Sequence, residues 1–243
     1  MLTSHRPKNA KMRLVVDQLW CASDMGADGY ETVMPSGRAQ IIFSLSKIPF
    51  AVHDSDSGLK GKNIYQIFQG PSSRPRRISR KPYVALCGVS FYPGGAGALF
   101  DRIDDTVNCV VPLSRFWGAD ASRLGAQLRT LDNHHARLNL LEKEIGKRIS
   151  VSSEIMALNQ GLKLLREGIA INQVCNELGC SPYVFRELFR RNVGFTPKHY
   201  LRIERFRSVT RKLTPAASLA DVAFDTQFSD QSHMTRDKTI LHR

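Results

Sequence analysis

Along the first 110 residues the apolar positions gather in short runs and do not recur at helical steps. Gln40–Ser46, Asn63–Gln69 and Tyr83–Tyr92 concentrate β-branched and aromatic residues, the composition of half-buried strands. Turn-forming pieces separate these runs: Met34-Pro35-Ser36-Gly37, Asp54-Ser55-Asp56-Ser57-Gly58 and Gly70-Pro71-Ser72-Ser73. Short strands at this spacing predict a small β-barrel or roll rather than βαβ units. Pro93-Gly94-Gly95-Ala96-Gly97 ends the last run as a strand-to-helix turn leading toward Phe100. Because Gly94-Gly95-x-Gly97 lacks the Gly-Lys-Ser/Thr ending of a phosphate-binding loop, a phosphate cradle is not expected there.

From Ala119 the period changes. Leu124, Leu128 and Leu131, then Leu138, Leu141, Ile145 and Ile149, repeat at three- and four-residue steps, which predicts two amphipathic helices. Asp132-Asn133 supplies a break and an N-cap between them. This helix pair is expected to connect two domains or to form part of a dimer contact. After a polar joint near residue 150, the pattern breaks into short helices near 153–167, 171–179, 182–192, 197–213, 219–226 and 230–238. The expectation is an α+β chain of two domains. Residues 1–149 form a small β-barrel or roll with flanking helices, and residues 150–243 an all-α domain.

Composition sharpens this outline. The 243 residues suit two domains, each large enough for its own core. A net charge of +13 calls for a polyanionic partner, nucleic acid or an anionic membrane surface, unless the surface is basic and inert. No run approaches the length of a membrane span and the N-terminus has no apolar signal core, so a cytoplasmic protein is expected. Cys21, Cys87, Cys109, Cys175 and Cys180 form no CxxC pair, and their odd number opposes a disulfide framework. They read as reduced, mostly core residues, with no cofactor or metal implied. His134-His135 are adjacent near a helix start, where neighbours diverge, and make a poor metal pair. Arg74, Arg76, Arg77, Arg80 and Lys81 read as an exposed, solvated loop, in preference to an anion site or a DNA contact.

The chemistry is carried by a repeat. Ile171-x-x-Val174-Cys175 followed by Ser181 recurs 48 residues later as Leu219-x-x-Val222-Ala223 followed by Ser229. The aliphatic pair forms one face of a first helix, and the small residue lets a second helix cross closely at a steep angle, as a helix-turn-helix requires. Gly179 supplies the first turn; Ser181 caps the next helix, with Pro182 at its first position. In the second copy Ser229 is the cap and Asp230 favours the helix start. The two units span about 171–193 and 219–238. Phe185, Leu188 and Phe189 share one face of the helix after Pro182, leaving Tyr183, Arg186, Arg190 and Arg191 to point elsewhere. From Ser181 to Leu213 there are nine Lys/Arg against two Glu. Charge focused on one such helix and the helix behind it fits phosphate positioning with base readout.

Residues 157–237 resemble the AraC/XylS-type transcription regulators. The resemblance rests on Leu178-Gly179-Cys180-Ser181-Pro182, on the segment from Leu188 to Pro197, and on Phe228-Ser229-Asp230-Gln231-Ser232-His233. It implies two helix-turn-helix units bridged by a long helix, reading adjacent major-groove segments of double-stranded DNA. By position it implies DNA contacts from Tyr183, Arg186, Glu187, Arg190 and Arg191 in the first unit. In the second it implies Gln231, Ser232, His233 and Arg236. Arg can clamp guanine and Gln can pair with adenine, so these residue types suit base reading. Leu86–Gly95, Val111-Pro112-Leu113 and Trp117-Gly118 resemble, more loosely, the sensor half of some such regulators. That half implies a small-molecule effector, a homodimer, or both, and the family implies contact with RNA polymerase.

The segment after Asp237 departs from the family pattern. Lys238–Arg243 replaces an expected closing helix, and Met234 and Lys238 stand where the first unit has Phe185 and Phe189. The second unit is therefore expected to be marginally stable, as a frameshifted or truncated gene would leave it. A degenerate module that dimerises but binds DNA weakly is one rival reading. A DNA-repair alkyltransferase is another, but it needs a nucleophilic Cys and a clustered-Cys metal site, which these five cysteines do not form.

Overall fold

The structure, a computed structural model, describes residues 1–23, 29–46, 48–50, 63–80 and 84–212. Its N-terminal part is built on a six-stranded sheet whose strands pair antiparallel throughout. In chain order the strands are β1 (Leu2–His5), β2 (Val16–Ala22), β3 (Gly29–Val33), β4 (Gln40–Ser44), β5 (Gln66–Gln69), β6 (Arg76–Arg80), β7 (Leu86–Phe91) and β8 (Val110–Pro112). The sheet order is β1-β2-β7-β4-β5-β8, with β3 and β6 forming a separate pair. Three strands, β4, β5 and β7, lie within the runs expected from sequence, each shorter than its run. The basic run, expected as a loop, is instead largely strand: Val33 faces Arg76 and Gly29 faces Arg80 across the β3–β6 ladder. Charged residues gave no apolar alternation to betray it, because this two-stranded pair has no need of two buried faces.

The helices are α1 (Ala10–Arg13), α2 (Ser114–Trp117), α3 (Ala119–Thr130), α4 (His134–Arg148), α5 (Ser153–Arg166), α6 (Ile171–Glu177), α7 (Pro182–Val193) and α8 (Pro197–Lys212). The break between α3 and α4 falls where Asn133 caps, its Oδ1 accepting from the Ala136 amide at 2.8 Å. The helix pair is not a free connector. Leu124, Leu128, Leu138, Leu141 and Ile145 are buried in one core with Phe43, Phe68, Val89 and Phe91 of the sheet. Their apolar stripes are thus consumed inside the chain and are not available as a dimer face.

A second core gathers Leu158, Leu162 and Leu165 of α5, Val174 and Cys175 of α6, Phe185, Phe189 and Val193 of α7, and Tyr200 and Ile203 of α8. Met34 and Val107 from the sheet part pack against it. Cys21, Cys87 and Cys175 are buried free thiols. His134 is occupied by a 2.9 Å hydrogen bond with Thr3. Among the described residues, no helix is long and apolar enough to cross a membrane.

Candidate nucleic-acid interface

The first helix-turn-helix forms where the repeat placed it, and each boundary has a local cause. Gly179 takes φ +62° in the turn after α6, a conformation glycine adopts without strain. Ser181 then caps α7, its hydroxyl accepting from the Val184 amide at 3.2 Å, with Pro182 following. Gly194, at φ +84°, ends α7 with its amide bonded to the Arg190 carbonyl at 2.9 Å. Thr196 opens α8 by accepting from the His199 amide at 3.3 Å.

Aromatic packing sets the inner face of α7. The Phe185 and Phe189 rings meet edge-on at 5.6 Å, and Phe189 meets Tyr200 of α8 at 5.5 Å. Gly161 of α5 lets α7 approach, since a Cβ there would stand 2.8 Å from the Phe185 ring. Tyr200 is fully buried, and Arg166 donates to its hydroxyl from Nε at 3.2 Å and Nη2 at 2.8 Å. Burial pushes the Tyr200 hydroxyl up to about 12, with Glu204 adding to the shift and Arg166 opposing it.

The outer face is the candidate interface. Tyr183 and Val184 are 69% and 53% exposed at the start of α7, an apolar pair left in solvent on an otherwise polar surface. Arg186, Arg190 and Arg191 are also exposed and Glu187 half-buried, so all five residues expected from the first unit lie on or beside this face. Glu187 accepts from Arg190 Nη2 at 3.0 Å, which holds the Arg190 guanidinium still more firmly charged. Gln231, Ser232, His233 and Arg236, with the whole 219–238 unit and the departures in its tail, lie outside the described residues.

Sequence reasoning missed how the sheet part meets the far end of α7. The 3-10 turn at Gly95–Ala98 and the segment 101–104 both touch it. The Ile103 amide donates to the Arg191 carbonyl at 3.0 Å, and Arg191 Nε donates to the Asp101 carbonyl at 2.7 Å. Arg190 Nη1 lies 3.7 Å from the Asp104 carboxylate, which is gripped by Arg102 at 3.1 and 2.6 Å. The Arg102 hydrogen bond holds the Asp104 carboxyl below its ordinary range, against a smaller opposing push from burial. Nothing in the sequence pattern announces this contact beyond the charge alternation Asp101-Arg102-x-Asp104, because the partners are about 90 residues apart.

Known protein families match two stretches of the chain. Residues 174–239 match the family described as "Helix-turn-helix domain", and residues 4–106 match "Domain of unknown function (DUF6597)". The uncharacterized HTH-type transcriptional regulator YbfI of Bacillus subtilis is 34% identical over 68 residues, which cover 28% of this chain. The match spans a quarter of that relative's length. ToxT of Vibrio cholerae aligns over 92% of this chain and 94% of its own, at 10% identity and a TM-score of 0.47. A second ToxT structure, with an unsaturated fatty acid bound, aligns over 99% and 91%, at 11% identity and a TM-score of 0.43. Two separate stretches of the chain are thus each similar to a family model, residues 174–239 to a helix-turn-helix domain and residues 4–106 to a domain of unknown function.

Proposed function

We propose that the chain is a sequence-specific, double-stranded DNA-binding transcription regulator, and not an enzyme. The observation that carries the reading is the first helix-turn-helix itself. A capped α7 is seated on an aromatic core, with Tyr183, Val184, Arg186 and Glu187 presented outward from its first two turns. Recognition helices of this motif enter the major groove and contact base edges with their N-terminal residues. Arg186 would clamp guanine, Tyr183 and Glu187 would contact neighbouring bases, and Arg190 and Arg191, nearer the helix end, would approach phosphates. Gln231, Ser232, His233 and Arg236 would read an adjacent groove segment from the second unit. In this reading the chain divides near residue 150 into a sensor-like part and the DNA-binding part. An effector held by the first part would act through its contact with α7; dimerisation and contact with RNA polymerase complete the regulator's expected repertoire.

Selection of bound sites from random duplex DNA tests the reading. The expected outcome is an enriched motif with salt-sensitive affinity, extended to two adjacent segments if the second unit reads DNA. Arg186→Ala should then weaken binding to the selected site by about 1–3 kcal/mol and relax the preference at one base pair. Failure to enrich any sequence would favour the degenerate module, and transfer of an alkyl group from methylated DNA would overturn the regulator altogether.

A further inference from the structure

We propose that Arg102, in the sheet part of the chain, contacts a DNA phosphate beside the α7 interface, so that the N-terminal part contributes directly to duplex binding. The inference rests on the DNA-binding reading above and extends it to a residue outside the helix-turn-helix. Segment 101–104 is fastened to the last turn of α7 by the Ile103–Arg191 and Arg191–Asp101 hydrogen bonds, at 3.0 and 2.7 Å. Arg102 therefore rides on the helix that enters the groove, at the end farther from its base-reading residues. That end of a recognition helix runs out toward the sugar–phosphate backbone, where contacts position the protein without reading sequence.

Charge and exposure select Arg102 within this segment. The Asp104 side chain is only 12% exposed, whereas the Arg102 and Arg190 side chains around it are 59% and 46% exposed. Both guanidinia are more exposed than the carboxylate between them, so the trio offers arginine donors to an approaching phosphate, while the exposed Asp105 and half-buried Glu187 nearby are each paired with an arginine. Asp104 uses the Nε and Nη2 edge of Arg102 and leaves Nη1 uncommitted by that pair. Holding a planar fork in one orientation reduces the conformational freedom lost when its remaining donors meet phosphate. Arg102 also lies within electrostatic reach of Glu187 and Arg190, both on α7, which places it on the same side of the molecule as the candidate interface.

The test is the salt dependence of binding by the full chain. Fluorescence anisotropy with a labelled random-sequence duplex, from 50 to 250 mM KCl (roughly the range over which phosphate contacts dominate affinity), reads the number of phosphates neutralised. Arg102→Ala should lower the slope of log K against log salt by about one and weaken binding. Arg102→Lys should retain the slope, since it keeps the charge. Arg123→Ala removes a comparably exposed arginine, paired with Asp120 on α3, and should leave the slope unchanged. Thermal midpoints of each variant establish that folded protein is compared. An unchanged slope in Arg102→Ala overturns the proposal while leaving the DNA-binding reading standing. Tighter binding also overturns it, by showing that the segment obstructs the duplex. Parallel loss in Arg123→Ala overturns it as a mere net-charge effect, and no duplex binding by the parent chain overturns both readings.

Discussion

Gly97→Ala is a direct probe of the seat between the sheet part and α7. A Cβ at Gly97 would stand 2.0 Å from Asn192 Oδ1 and 2.9 Å from its Cγ, so the side chain must move. Asn192 has little room to do so. It is 3% exposed, and its Nδ2 donates to the Leu188 carbonyl at 2.9 Å. Gly97 is not among the positive-φ glycines, so backbone strain adds nothing and the collision alone sets the cost. Overpacking of this kind typically costs about 1–3 kcal/mol. In a chain of this size, a loss of about 2 kcal/mol lowers the thermal midpoint by roughly 4–8 °C. Asn192→Ala alone should cost about 1 kcal/mol through its lost hydrogen bond. Combined, the two substitutions should be less harmful than their sum, because shortening the Asn192 side chain vacates the space the new methyl needs. Urea unfolding followed by circular dichroism measures all four proteins of the cycle. A neutral Gly97→Ala, or additivity within about 0.5 kcal/mol, would refute the docking of the 95–98 turn on α7.

Other outcomes follow from the same geometry. Phe189→Ala should destabilise the second core by about 3–5 kcal/mol, read as an earlier urea transition, because its ring links Phe185 to Tyr200. Asp104 has a carboxyl pKa depressed by Arg102, so its stabilisation is present above the ordinary carboxylate pKa and lost as pH falls through the lower folded value. Thermal midpoints of the parent and Asp104→Asn should differ at pH 7 and converge as pH falls below the ordinary carboxylate range; a gap independent of pH would refute the pairing. Tyr200 behaves oppositely. Its raised folded value of about 12 gives stability that is intact below pH 10 and declines as pH rises toward 12. The parent should therefore lose more stability between pH 9 and 11.5 than Tyr200→Phe, although that variant starts lower for want of an acceptor for Arg166.

What could be read from the chain alone was whatever neighbouring residues decide together. Gly179, Ser181-Pro182 and Gly194 act within one turn of their own positions, so the ends of α7, expected at 182–192 and found at Pro182–Val193, were legible to within one residue. The α3–α4 break at Asn133 was legible for the same reason. The apolar runs at β4, β5 and β7 also announced themselves, because those strands are central or buried in the six-stranded sheet. The strand from Arg76 to Arg80 was not legible. Its place is set by pairing with β3, and a peripheral ladder imposes no apolar alternation on a basic run. The destination of the α3 and α4 stripes was hidden likewise: periodicity shows that a face is apolar but not what covers it.

The candidate interface divides along the same line. Sequence by itself determined which helix carries the candidate interface, its cap, its buried phenylalanines and the arginines left outside, since a 3.6-residue period and two caps orient a helix without reference to distant chain. Only the tertiary structure decided that the outer face has two unlike halves. Tyr183, Val184, Arg186 and Glu187 occupy its leading turns, while Arg190 and Arg191 meet Asp104 and Asp101 from a segment some 90 residues earlier. The physical reason is that hydrogen bonds and ion pairs between remote segments depend on how two cores pack. Gly97 against Asn192, and Val107 and Pro71 against Gly194, are contacts of shape that no local pattern encodes.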